Sequence, residues 1–276
     1  MSLAITGASG QLGRLVTAEL LKTVDASELV LLTRNPDALD VPGADVRRFD
    51  FHDASPDAFT GVDRLLLISG DQIGARVDGH KAAVDAAVAG GVGFITYTSI
   101  PNPSDSNPIV AAAEHRATEE HIRASGARWA FLRNNIYAEM QLGAYQGALA
   151  TGQLQSNGGP TGFVTRADCA RAAAAVLAGG DHDGREYDIT GPEALGPVEL
   201  AALFSEVGGK PVEAVIVSDE QYVSGLAAAT GMPEEVAAIY ATFGAGARLG
   251  YSAVVSTAVR DLTGRDPEPL RTVLAS

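Results

Sequence analysis

The sequence predicts an α/β fold, a doubly wound Rossmann-type parallel sheet with a small, mostly helical C-terminal lobe. Three observations carry this expectation. Short β-rich runs alternate with amphipathic helical stretches through the first half of the chain. Several of those runs are apolar nearly throughout, as strands are when helices cover both faces of a sheet. Beyond about Asn134 the alternation gives way to mainly helical patterns. Repeated strand–helix–strand units cross over right-handedly and build a parallel sheet between two helical layers.

The elements follow in order. Leu3–Thr6 reads as the first strand, and Gln11–Lys22 as a helix with Leu12, Leu15, Val16 and Leu20 at helical spacing. Strands are expected over Leu29–Thr33, Asp45–Phe49, Arg64–Ser69, Gly93–Thr98 and Arg128–Leu132, with helices over Ile73–Ala89 and Ile109–Ala124. Ile136–Ala150 then reads as a helix and Phe163-Val164 as a brief strand. Thr165-Arg-Ala-Asp168 has a capping-box pattern ahead of an alanine-rich helix. Glu186–Thr190 is the expected last sheet strand. Pro197 opens a helix that Gly208-Gly209 stops, Val212–Val217 is a further strand, and Ser218-Asp-Glu-Gln221 caps another helix. The cofactor domain is thus expected over 1–135 with about 160–191, and the lobe over about 136–159 and 192–276.

The first strand runs directly into Gly7-Ala-Ser-Gly10-Gln-Leu-Gly13, a G-x-x-G-x-x-G turn that opens the first helix. Gly7 suits the tight turn, Gly10 leaves room for a diphosphate to approach the backbone, and Gly13 lets helix and sheet pack closely. Free N–H groups and the positive end of the helix dipole stabilise the anion. Gly7, Ser9, Gly10, Gln11, Leu12 and Gly13 therefore form the candidate cradle for a dinucleotide. With 31 glycines in the chain, the strand–turn–helix context carries the assignment. An acidic residue about twenty positions later would bind the adenosine ribose and exclude a 2′-phosphate. Thr33-Arg34-Asn35-Pro36 stands there instead. Arg34 pairs well with a phosphate, which favours NADPH while leaving NADH open; the bland alternative is a surface arginine. Asp50 and Phe51, Ser69 and Gly70, and Thr98 and Ser99 follow the third, fourth and fifth strands. Their shared sheet edge makes them candidate cofactor contacts rather than ordinary loop residues.

A formal net charge of −14, without any basic stripe, disfavours nucleic acid and acidic membrane surfaces as partners. A small neutral or aromatic substrate is expected. The one cysteine, Cys169, allows no intrachain disulfide and reads as a small buried residue. The N-terminus opens on a strand without a secretory signal, and no apolar run is long enough to span a bilayer, so a cytoplasmic location is expected. The five histidines are scattered without metal-ligand spacing.

The residues also carry a family resemblance. Ala4-Ile-Thr-Gly-Ala-Ser-Gly-Gln-Leu-Gly13, Thr33-Arg-Asn-Pro36, Leu65-Leu-Leu-Ile-Ser69, Tyr97-Thr-Ser99, Glu114-His-Arg-Ala-Thr-Glu119 and Phe131-Leu-Arg-Asn-Asn-Ile-Tyr137 resemble the NmrA-like branch of atypical short-chain dehydrogenases. Within it they are similar to bacterial NAD(P)H:quinone oxidoreductases of type 2 and triphenylmethane reductases. The resemblance runs through most of the chain and weakens after roughly Pro192. It implies hydride transfer from NADPH to a quinone or similar flat, conjugated acceptor, with neither flavin nor metal. It further implies Arg133 and Asn134 near the nicotinamide, with Asn135, Ile136 and Tyr137 facing the substrate. The family includes redox-sensing regulators that bind the dinucleotide without turnover, and a natural-product tailoring role also fits the scaffold. A homodimer rests on analogy alone.

The Tyr-x-x-x-Lys pair that delivers a proton in ordinary short-chain dehydrogenases is missing. Arg116 and Glu120 occupy its register and read as a solvated surface pair. A quinone needs no such acid, because its reduced anion is delocalised and takes a proton from water. His115 is the one candidate proton donor nearby, against the alternative of a polar residue satisfied within helix packing. Tyr137 would either stack on an aromatic substrate or sit in the core.

Overall fold

The computed structural model describes all 276 residues. Nine strands run in chain order: β1 (Leu3–Thr6), β2 (Leu29–Thr33), β3 (Asp45–Arg48), β4 (Arg64–Leu67), β5 (Phe94–Ser99), β6 (Arg128–Asn134), β7 (Gln153–Ser156), β8 (Arg185–Ile189) and β9 (Glu213–Ile216). Seven of them form one all-parallel sheet in the order β3-β2-β1-β4-β5-β6-β8. This is the expected doubly wound α/β sheet. Its order reverses between β1 and β4, where such sheets open a crevice for ligands.

Period-two alternation divides the strand side chains between two cores. Leu3, Ile5, Leu29, Leu31 and Leu66 face α1 (Gln11–Leu20) and α5 (Arg166–Ala178). Ala4, Val30, Leu32, Leu65 and Leu67 face α2 (Val77–Ala89) and α3 (Val110–Ala124). Each fully buried Leu or Val contributes about 1.5–3 kcal/mol, so these two layers hold the sheet together. The buried alanines of α5, Ala170, Ala172, Ala173 and Ala174, let it lie close against α1. Cys169 is fully buried among them, and burial pushes its thiol well above the ordinary range.

A third, smaller core unites α4 (Gln141–Thr151), α6 (Pro197–Gly208), the parallel pair β7–β9 and α10 (Leu270–Leu274) around Leu154, Phe163, Phe204 and Leu274. Two further helices, α7 (Asp219–Thr230) and α8 (Glu234–Arg248), pack on each other as a hairpin. The expected, mostly helical lobe thus holds the strand expected over Val212–Val217, paired as β9 with β7, a strand that was not expected. In addition, α9 (Ala258–Thr263) leaves it and packs on α5, carrying Val259 into a main core. No helix is long and apolar enough to cross a membrane.

Several expected boundaries move for local reasons. The helix expected from Ile73 starts at Val77, because Gly74 adopts φ +99° and the segment before it is loop. Within Ile136–Ala150 the chain first stays extended, Tyr137 bridging Val164, and α4 begins only at Gln141. The expected Phe163-Val164 strand is reduced to that bridge. Thr165 caps α5 by accepting from the Asp168 N–H at 3.0 Å, and the Asp168 carboxylate accepts from the Thr165 hydroxyl at 2.8 Å rather than from the Thr165 backbone N–H, so the capping box is incomplete. The same carboxylate also accepts from the Glu268 N–H at 2.8 Å and from Arg171, fastening the C-terminal segment to the sheet layer. Ser218 and Gln221 form a complete capping box.

Candidate functional site

The glycine turn lies at the carboxyl end of β1, an inner strand beside the point where the sheet order reverses. Gly7 takes φ +61°, which a side chain would strain. Gly13 sits on α1 against the turn itself; a Cβ there would lie 2.3 Å from the Gly7 carbonyl oxygen and 2.7 Å from the Ala8 Cα. Gly10 caps α1 with no side-chain hydrogen bond. The first helical acceptor is the Gly10 carbonyl, taken by Arg14, so the N–H groups of Gln11, Leu12 and Gly13 have no acceptor within the protein. Three free donors at the positive end of a helix can bind an anion.

The β2 corner is tied to this turn. The Ser9 and Thr33 hydroxyls lie 2.7 Å apart, and the Asn35 N–H donates to the Thr33 oxygen at 3.2 Å. Arg34 is exposed and makes no ion pair within the chain. Arg14 spans the corner, donating to the Ser9 carbonyl at 2.9 Å and the Ala38 carbonyl at 2.7 Å.

Because every strand is parallel, the other candidates fall on the same edge. Asp50 caps a short turn after β3, accepting from the His52 N–H at 3.0 Å. Phe51 packs edge-on to Phe49 and to His80, with ring centroids 5.5 and 5.4 Å away. The Ser69 N–H donates to the Thr98 hydroxyl at 2.9 Å, joining the ends of β4 and β5. Asn134, at the end of β6, is buried, and its Oδ1 has no hydrogen-bond partner. A buried carbonyl oxygen left unpaired costs about 1–3 kcal/mol, so this oxygen is free to accept from a ligand or from water.

Other candidates are committed elsewhere. The Ser99 hydroxyl donates to Glu119 at 2.7 Å. The Arg133 guanidinium reaches Glu119 at 2.8 Å and Glu186 at 2.7 Å, so the arginine expected beside the nicotinamide is held on the α3 side of the sheet. Asn135 uses its amide to donate to the Ser252 carbonyl at 2.9 Å and to accept from the Ile136 N–H at 2.8 Å. Tyr137 packs against the main core under Arg166, whose guanidinium carbon lies 4.6 Å from the ring centre. Burial raises its phenol pKa. Ile136 packs on the lobe's core.

His115 is 5% exposed. Its Nε2 lies 3.0 Å from an Arg76 nitrogen and its Nδ1 2.8 Å from the Tyr97 hydroxyl. Arginine can only donate, so Nε2 must accept and the proton sits on Nδ1. Burial, with Arg76 beside it, holds the imidazole well below its ordinary pKa. The expected proton donor is thus a neutral, internally satisfied histidine, because α3 turns it toward Arg76 and away from solvent. Arg116, in the register of the missing lysine, pairs on the surface with Asp105 at 2.5 Å and Glu120 at 3.1 Å.

Against this geometry the comparisons are specific. Residues 7–179 match the NAD(P)H-binding family. Quinone oxidoreductase 2 of Escherichia coli is 38% identical, over 90% of this chain and 88% of its own. The crystal structure of that NADPH-dependent enzyme with NADPH superposes with a TM-score of 0.94 at 36% identity, over 99% of this chain and 98% of that one. Triphenylmethane reductase of Citrobacter sp., solved with NADP(H), gives 0.88 at 32% identity over 99% of both chains. An NmrA-like family oxidoreductase of Aspergillus flavus is 26% identical over 81% of this chain and 76% of its own. The chain belongs to the NAD(P)H-binding NmrA-like family.

The three unpaired amides at the start of α1 are consistent with a family described as NAD(P)H-binding. In this family member the sequence pointed to the sheet edge but missed Arg14, Arg76, His80, Glu114 and Glu119. One signal was available. Glu114, His115, Thr118 and Glu119 recur at helical spacing on one face of α3, and that polar face is buried against the sheet. Polar groups on a buried face require partners.

Proposed function

We propose that this chain is an NADPH-dependent reductase whose acceptor is a quinone or a similar conjugated aromatic. The observation that carries the reading is the set of free amides at the start of α1, with His115, the expected proton donor, buried and bonded within the protein. Gln11, Leu12 and Gly13 hold the diphosphate through their N–H groups, and Gly7, Ser9 and Gly10 shape the turn around it. Arg34, unpaired within the chain, meets the 2′-phosphate and favours NADPH over NADH. Asp50 and Phe51 border the adenosine side, and Ser69, Gly70, Thr98 and Ser99 line the ribose side. Asn134 offers its unpaired Oδ1 to the carboxamide of the nicotinamide.

The nucleotide supplies a hydride, and the protein supplies proximity, orientation and exclusion of water. The buried neutral His115 delivers no proton. That suits an acceptor whose reduced anion is delocalised and protonated by water. The acceptor lies between the ends of β5 and β6 and the lobe formed by 136–159 and most of 192–276, with Ile136 on its wall. The E. coli quinone oxidoreductase and the triphenylmethane reductase, both similar over nearly the whole chain, support this acceptor class.

The test is to mix the purified protein with NADPH or NADH and a panel of quinones and dyes, following loss of the reduced nicotinamide absorbance. Turnover with quinones, faster with NADPH, is expected. Tight NADPH binding without turnover of any acceptor would replace this reading with that of a non-catalytic redox sensor.

A further inference from the structure

Between β4 and α2 the chain makes a loop, residues 68–76, whose backbone is held by side chains from four other elements, β1, β5, α2 and α3. At its start the Ile68 N–H donates to the Thr6 hydroxyl at 2.9 Å, and Ile68 sits where a Cβ on Gly7 would touch it. The loop therefore abuts the glycine turn. Both polar groups of Gly70 are taken. Its N–H donates to His80 Nε2 at 2.9 Å, and its carbonyl accepts from Arg76 at 2.7 Å. The Gly74 N–H donates to Glu114 at 2.8 Å, and the same carboxylate pairs with the Arg76 side chain at 2.9 Å. Arg76 also donates to His115 Nε2.

This arrangement is costly to build and serves no part of the chemistry above. The Arg76 and Glu114 side chains are only 8% and 9% exposed. A buried ion pair is seldom more stable than apolar packing of the same volume. What apolar side chains cannot do is satisfy the N–H and C=O groups of a loop, and here three such groups, on Gly70 and Gly74, are tied to the pair or to its histidine neighbour. The Gly70 N–H and the Arg76 guanidinium can only donate, so both accepting histidines are neutral with the proton on Nδ1. His80 and His115 then pass their protons toward the Thr118 and Tyr97 hydroxyls, 3.2 and 2.8 Å away. The guanidinium, the carboxylate and all four imidazole nitrogens thus have partners within the network.

We propose that Arg76, Glu114 and His115 are positioning residues that fix the 68–76 loop in its nucleotide-ready shape against the glycine turn before any nucleotide arrives. The proposal rests on the reading that this loop borders the bound NADPH. A ligand that meets an ordered loop does not have to order it, and binds more tightly for that reason.

Hydrogen–deuterium exchange on the nucleotide-free protein tests the ordering directly. In the wild type the amides of Gly70 and Gly74 are expected to exchange slowly, and NADPH to slow them little further. The double variant Arg76→Gln/Glu114→Gln removes both charges together and leaves no unpaired buried ion. It is expected to lose that protection and to raise the KM and Kd for NADPH on the order of tenfold, with kcat nearly unchanged. Free exchange of the wild-type loop until NADPH is added would overturn the proposal, and that result requires no variant to fold. So would a double variant that loses protection yet binds NADPH as the wild type does, since the network would then be structural only. Failure of the wild type to bind NADPH would refute the proposed function instead, and the exchange of the free protein would still judge the ordering.

Discussion

Replacing Gly13 by alanine tests the link between the packing of α1 and the nucleotide cradle. A Cβ at this position would sit 2.3 Å from the Gly7 oxygen, 2.7 Å from the Ala8 Cα and 2.9 Å from the Gly7 carbonyl carbon. All three are backbone atoms, so no rotamer change relieves the contact and the turn must open by about 1 Å. Overpacking of this kind costs about 1–3 kcal/mol, and the better helix propensity of alanine returns at most about 1 kcal/mol. A drop in Tm of a few degrees follows for a chain of this size. Opening the turn also moves the amides of Gln11, Leu12 and Gly13. Losing one charge-assisted hydrogen bond of about 1.5–3 kcal/mol weakens NADPH by roughly tenfold or more. Gly10→Ala is the matched control. Its φ of −76° and ψ of 172° suit any residue, and its Cβ would meet one atom, the Gly7 oxygen at 3.1 Å. It is expected to keep nearly the wild-type Tm while its methyl group intrudes on the diphosphate. Titration calorimetry with NADPH and thermal unfolding of both variants distinguish the effects. If Gly13→Ala bound NADPH within about twofold of wild type at an unchanged Tm, the packing argument would be wrong.

Further expectations follow from the same geometry. Arg34→Ala should reduce the preference for NADPH over NADH at least about tenfold, the worth of one charged phosphate contact, with little change in Tm; an unchanged preference in paired KM measurements refutes the assignment. His115→Ala should leave the pH profile of kcat in place but lower stability by about 1–3 kcal/mol, since an Arg76 N–H loses its buried acceptor; loss of one limb of the profile would restore a proton-donor role. Burial, with Arg76 beside it, holds the His80 imidazole at about 4 against an ordinary 6.5. The unfolded chain binds a proton there that the folded chain refuses, so stability is full above pH 6.5 and falls toward pH 4 by on the order of 3 kcal/mol. Denaturant titrations across that window should show the decline, with a shallower slope in a His80→Asn variant. Asn134→Ala should weaken NADPH with little change in Tm, because its Oδ1 bonds to nothing in the chain and its Nδ2 donates only a long bond of 3.5 Å to the Tyr137 hydroxyl; a lower Tm with unchanged affinity would show the side chain to be structural.

The sheet was legible in the sequence because its inner strands β1, β2, β4 and β5 are buried on both faces and carry largely apolar runs, whereas the edge strands β3 and β8 are partly exposed. Gln153–Ser156 escaped notice because only Leu154 in it is buried, leaving neither an apolar run nor an alternation to read. The start of α2 was misplaced because side chains from α3 hold the preceding loop, and periodicity within residues 73–76 does not report that. The candidate site divides in the same way. Gly7, Gly10 and Gly13 are constrained by local geometry, and Arg34 by its position after a strand, so both could be read from spacing. Arg133, Asn135 and His115 lie in the expected region, but their side chains are directed by Glu119, Ser252 and Arg76, residues distant in sequence from the motifs that drew attention to them. Placement at a sheet edge follows from topology; what a side chain touches there follows from packing between elements.

A crystal structure of the protein with NADPH tests the central claim most directly. The account predicts diphosphate oxygens within hydrogen-bond distance of the Gln11, Leu12 and Gly13 nitrogens, with the nicotinamide carboxamide at Asn134. A nucleotide bound with its diphosphate away from the start of α1 would contradict it.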